Sequence, residues 1–188
     1  GVPFDTLPAL FVEDAIVEVK RRVPGHAWYT DCTYLIRDIS WETDEAGNRR
    51  FTASGVGPLD LLARRSSAYD AGTRQTQKSR VNAGAAIYEF VDENAGSSAT
   101  TGNGRKASGQ TTGLTVNANA IGSLWQGARF QDNLLSVIQG ISAQVGDVEF
   151  EVATVVGGGS VAFDFNIVAM IGTDRSATVV ISKARGNM

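Results

Sequence analysis

The residues able to do chemistry in this chain are few and scattered. His26 follows Pro24 by two positions and Cys32 follows Asp31, so a thiol and an imidazole stand near each other along the chain, as a cysteine nucleophile and its base would. Neither carries a local signature, and a free cysteine more often serves as a small buried hydrophobe. The acidic pairs Asp44-Glu45, Asp92-Glu93 and Glu149/Glu151 supply the residue type that glycoside hydrolysis requires. Adjacent residues on a strand or helix point in different directions, so solvated turns and helix ends account for the first two pairs. Glu149 and Glu151 share a strand face, with the alternation of a solvent-facing side. Gly102-Asn103-Gly104-Arg105-Lys106 has the glycines and cations of a phosphate-cradling loop, but no Gly-Lys-Ser/Thr follows and no apolar strand leads in. No catalytic residue, no metal ligand set and no cofactor-binding motif is assigned.

The cations are more suggestive. Arg64, Arg65, Arg74, Lys78 and Arg80 face only Asp70 within their segment, and Arg105 and Lys106 follow in the next loop. These seven residues are the candidate interface: a solvated face is the default for such a run, but the first five join two helices rather than cover one, and nucleic acid or an acidic partner surface could use them. Across the whole chain 17 Lys and Arg stand against 20 Asp and Glu, a net charge of −3, which disfavours general binding to nucleic acid. One Cys and one His exclude an internal disulfide and a zinc site built of thiolates and imidazoles. Trp28, Trp41 and Trp125 are spread too widely to make a sugar-stacking platform by sequence alone, and packing is the plainer use.

The elements that must position these residues read as α+β, with mostly antiparallel sheets, room for partly closed β-barrel lobes, and about three helices. From Leu10 to Arg22 the chain alternates as a strand, with Ala15, Val17 and Val19 on one side. Residues 33–43 and 49–56 flank Asp44–Asn48 as a hairpin. A short helix is expected over Pro58–Arg65, and residues 66–80 read as irregular. A second helix begins after Asn82 as cap and stops near Asn94-Ala95-Gly96 at a left-handed residue. Gly96–Gly113 holds five Gly, three Ser and four Thr with no aromatic or branched aliphatic residue to anchor it. Structure resumes at Thr115-Val116. A third helix spans Asp132–Val145 with Asp132 as cap, and Gly140 is either a packing contact or a weak point. Residues 148–156, 161–171 and 177–182 read as an antiparallel meander. The organisation expected is an N-terminal strand-and-hairpin lobe (1–66), a helical segment with the long loop (67–147), and C-terminal strands (148–188). No stretch reaches the roughly 18 apolar residues of a membrane span. The first residue is Gly1, and the last strand pattern runs to the end of the sequence, which suggests a piece of a longer chain.

The order of these segments carries a resemblance. Gly-Val-Gly-Pro-Leu-Asp-Leu-Leu-Ala-Arg-Arg at 55–65, AGAAIYEFVDENAG at 83–96, DNLLSVIQGISAQVG at 132–146 and FDFNIVAMIGTDRSATVVISKARGN at 163–187 together resemble the tail-hub, or baseplate-hub, proteins of long-tailed bacteriophages. The resemblance runs over nearly the whole chain from about Leu10. It implies a structural virion protein at the tail tip, without enzymatic activity, that joins the tail tube to the host-recognition baseplate. It also implies a homo-oligomer, often a trimer, with tail tube, distal tail and tape-measure proteins as partners, and neither a membrane anchor nor specific nucleic-acid binding. Two other classes stay open at this point. One is a tail-borne glycan- or receptor-binding module using the tryptophans; the other is a cell-wall hydrolase using the carboxylates.

Overall fold

A computed structural model describes residues 11–68, 76–100, 105, 114–157 and 160–170. The fold is α+β. In chain order the elements are β1 (Ile16–Arg21), β2 (Tyr29–Thr43), β3 (Arg49–Val56), α1 (Asp60–Ala63), β4 (Thr76–Asn82), α2 (Ala83–Ala95), β5 (Leu114–Val116), β6 (Leu124–Arg129), α3 (Leu134–Val145), β7 (Val148–Gly157) and β8 (Ser160–Ala169). Among the described residues they form three sheets, ordered β1-β2-β3, β4-β6 and β5-β8-β7, none of them closed into a barrel. The final strand expected at 177–182 lies outside the described residues.

The core forms where the two long helices cross the strands. Ala83, Ala86, Ile87, Phe90 and Val91 recur at helical spacing and all are buried, so one face of α2 is apolar from end to end. Against it pack Leu134, Val137, Ile138 and Ile141 of α3, Leu61 and Leu62 of α1, Trp125 of β6, and Phe163, Phe165 and Ile167 of β8. Phe150 and Phe165 stack at 5.6 Å between ring centroids, holding β7 to β8.

Helix ends depart from expectation in instructive ways. Asp132 does not cap α3, because its carbonyl is taken by Ser67 N–H at 2.8 Å; the next residue, Asn133, accepts from Ser136 N–H at 3.1 Å instead. Asn82 precedes α2 without capping it, since its side-chain amide donates to the Gly122 carbonyl. Nor does α2 stop on a left-handed residue: Gly96 has φ −92°, and the turn is held by the Asp92 carboxylate, which accepts from Ser97 N–H, Ser97 Oγ and Ser98 Oγ. Gly146 does end α3 in the left-handed region, with φ 72°. α1 covers only Asp60–Ala63, so Arg64 and Arg65 lie past its end.

The segment read as irregular contributes β4, which pairs antiparallel with β6 through a bulge between Lys78 and Val81. A polar two-stranded ribbon has no apolar alternation to announce it. The C-terminal strands are likewise not a plain meander, because β5 runs parallel to β8 on the side that a third meander strand would use.

In the N-terminal sheet β2 is 15 residues long and pairs with β1 along one end and with β3 along the other. The inner end carries Leu35, buried in the core, and Thr33, whose hydroxyl meets that of Thr154 on β7 at 2.7 Å. Ile16 sits opposite Leu35 and turns inward. Val19, on the side shared with Val17, faces out and is 39% exposed. The outer end is a hairpin closed by Asp44–Asn48 with Gly47 at φ 81°, and it is almost wholly exposed. Trp41 and Phe51 pack at 4.6 Å on one face of it, and Phe11 covers Phe51 at 5.0 Å.

Candidate functional site

The candidate cations do not converge on one outward patch. Arg64, just past α1, reaches back to Asp14 with Nη1 3.0 Å from Oδ1, and Asp14 also pairs with Arg37 of β2. Arg37 in turn donates to Asp60 at 2.6 and 2.9 Å. Two carboxylates and two guanidiniums thus alternate in a seam that ties the entry to β1, the middle of β2 and the start of α1 together. Arg65 donates to the Asn94 carbonyl at 2.9 Å, the last turn of α2, where a cation meets the negative end of the helix. Lys78 sits between Glu89 at 2.6 Å and Glu93 at 3.1 Å with 12% of its side chain exposed. Arg105 reaches the same glutamate, 3.6 Å from Glu93 Oε2, and donates to the Glu93 carbonyl at 3.2 Å. Arg80 is exposed, with φ 50° inside the β4 bulge, and makes no ion pair with any described residue. Arg74 and Lys106 lie outside the described residues.

Burial by itself would pull the Lys78 ammonium down, but the hydrogen bonds it donates to Glu89 and Glu93 outweigh it and hold the group above its ordinary value of 10.5. A lysine raised in the folded state stabilises fully below its unfolded pKa, and that contribution disappears as pH climbs through the folded one. Stability is therefore expected to fall above pH 10.5. In Lys78→Met that alkaline decline should be shallower, which urea titrations at a series of pH values would measure.

At its described residues the Gly/Ser/Thr segment is held to α2 by polar groups, Ser97 and Ser98 on Asp92 and Arg105 on Glu93, and Ala99 is buried. Of the phosphate-loop candidate, Arg105 alone is described, and it is turned toward the helix. At least one member of each acidic pair is engaged by a neighbouring group. Asp44 accepts Asn48 N–H and side-chain N–H, both at 2.7 Å, and the side-chain bond foremost holds its carboxyl below the usual range. Glu151 accepts from Asn166 across the β7–β8 ladder at 3.3 Å. His26 is exposed in the β1–β2 turn, while Cys32 is half-buried opposite Val19, and no hydrogen bond joins the two. Among the described residues no group of three His, Cys, Asp or Glu is placed to hold a metal ion. No helix among them is long and apolar enough to cross a membrane.

The tryptophans divide. Trp125 is 2% exposed, edge-on to Phe90, with its indole N–H on Gln144 Oε1 at 2.9 Å. Trp28 is 63% exposed, and Trp41 belongs to the hairpin's aromatic face.

Sequence reasoning missed the open edges of the N-terminal sheet. β1 and β3 each pair with β2, and among the described residues neither has a strand on its other side. The face of this sheet turned from the core carries Val17, Val19, Tyr29 and Tyr34, the last 42% exposed. A hollow of about 610 Å³ runs along the hairpin tip, lined by Glu42, Thr43, Asp44, Asn48, Arg49 and Arg50. What this arrangement offers chemically is backbone pairing, apolar contact and mixed charge on a projecting element. Comparison with known proteins adds no relative: no family model matches the chain, nor does any curated protein or solved structure.

Proposed function

We propose that this chain is a structural subunit of the tail tip of a long-tailed bacteriophage, a non-enzymatic hub component that joins the tail tube to the host-recognition baseplate as a homo-oligomer, a trimer in the reading that the resemblance implies. The observation carrying this is that the segments with the hub-like order also hold one another. Asp60 and Arg64 of the GPLDLLARR run share the ionic seam, and Arg65 binds the Asn94 carbonyl of the VDENAG run. Asn94 binds both Ala68 N–H, just past the double arginine, and the Phe90 carbonyl. Motifs that assemble a framework, rather than a pocket, suit a part whose work is done by its surfaces.

The projecting β2–β3 hairpin and the outer edges of β1 and β3, beside which no described strand lies, are surfaces suited to tail tube, distal tail and tape-measure neighbours. Of the candidate cations among the described residues, Arg64, Arg65, Lys78 and Arg105 are engaged within the chain, so Arg80 is the member of the candidate interface best placed to meet an acidic neighbour.

The test is mass spectrometry of purified tails together with imaging of the tip labelled on this chain. Peptides of the chain at a fixed ratio to the tube protein, with label at the tip, are expected. A chain that is missing from virions and monomeric in solution would end the proposal.

A further inference from the structure

We infer that two copies of this chain join edge to edge through β1, about a two-fold axis that sets Val19 opposite the partner's Val19. The outer edge of β1 has no strand beside it among the described residues, and an unpaired row of N–H and C=O groups is a template for a further strand. A two-fold axis perpendicular to the sheet keeps each residue and its copy on the same face. Residues brought opposite one another must then share a face of β1, and the antiparallel registers with good overlap are centred on Glu18, on Val19 or on Lys20.

Charge chooses among them. Centring on Glu18 sets that carboxylate against its own copy, and centring on Lys20 does the same with two ammonium groups; like charges directly opposed across strands are destabilising. Centring on Val19 sets Glu18 opposite the partner's Lys20 and Lys20 opposite the partner's Glu18. The two residues already share a face within one copy, with Lys20 Nζ 3.2 Å from Glu18 Oε2, so the pair of copies closes a ring of four alternating charges. On the other face the two Val19 side chains, each 39% exposed alone, cover one another. The opposite edge offers no such match: β3 reads RRFTASGV, with two arginines and no carboxylate.

Pairing yields one continuous sheet, β3-β2-β1 followed by the partner's β1-β2-β3. It stands on the residues of one strand and does not depend on a role in the virion. It is also a different contact from the one that closes a three-fold ring.

Sedimentation of the whole chain over a wide concentration range tests it. Wild type should dimerise. Glu18→Lys and Lys20→Glu should each weaken the dimer about tenfold or more, and the double exchange should restore it. Opposed strand residues hold their Cα atoms about 4.5–5.5 Å apart, within disulfide reach. Val19→Cys should therefore give a cross-linked dimer on mild oxidation. Cys32 faces Val19 within one chain, so this variant is made with Cys32→Ser. Monomeric wild type, a double exchange no better than the single ones, or a Val19→Cys variant that associates without cross-linking would each overturn the inference. The last result would indicate β1 meeting β3 of the partner instead.

Discussion

Replacing Phe90 with alanine is expected to lower the unfolding free energy by about 3–5 kcal/mol, at least a fifth of the roughly 5–15 kcal/mol that a folded domain commonly has. Phe90 is fully buried at the centre of the α2 stripe. Its ring meets the Trp125 indole edge-on at 6.2 Å between centroids, and the Lys78 ammonium lies 5.9 Å from the ring centroid. Truncation opens a cavity between α2 and β6 and takes away both contacts, while the backbone carbonyl that Asn94 uses stays in place. Phe90→Leu fills most of the space and should cost about 1.5 kcal/mol or less. Urea unfolding with an unchanged slope would measure both. A loss below that of the leucine variant would mean that the two elements close over the gap.

The second large effect is a contrast between two helical glycines. A methyl group on Gly84, in the first turn of α2, would stand 3.0 Å from the Ile121 backbone nitrogen and 3.1 Å from its oxygen, and closer still to the Asn119 carbonyl. These are backbone atoms, and the segment is held there by Gly84 N–H on the Ile121 carbonyl at 2.9 Å and Ala83 N–H on the Ser123 carbonyl at 2.9 Å. It cannot yield as a side chain would. Gly84→Ala therefore meets an overpacking cost of roughly 1–3 kcal/mol or beyond, larger than the gain of about 1 kcal/mol in helix propensity. Around Gly140, inside α3, nothing lies within 4 Å. There the same substitution should stabilise by up to about 1 kcal/mol. Thermal melts of the two variants should move in opposite directions.

These glycines also show what a sequence can and cannot disclose. Both sit in helices whose apolar spacing is plain from the residues alone, and α2, α3 and the β2–β3 hairpin are legible for that reason: their signals are local. Whether Gly84 or Gly140 is crowded depends on a segment some 35 residues away in one case and on open solvent in the other, and spacing is silent about both. The same limit governs the charges. Arg64 and Lys78 look unopposed within their own segment because their counter-charges, Asp14 and the pair Glu89 and Glu93, come from other elements. Arg37, a hinge of the ionic seam, is followed directly by Asp38, so nothing local marks its true partners, Asp14 and Asp60, as lying on other elements. β6 is hidden for another reason: Leu124-Trp125-Gln126-Gly127 buries its Trp alone, so no alternation appears. The sheet edges are legible in part, since β1 alternates, if imperfectly, but only the sheet order shows that no described strand lies on its other side.

The hold that Arg105 has on Glu93 closes the chain on itself over twelve residues of sequence. The entropy of such a closure grows only with the logarithm of its length, about 0.6 kcal/mol for each doubling. Residues added to the sequence after Arg105 would leave this closure as it is. Evolution can therefore vary the sequence that follows without loosening the tie at the end of α2.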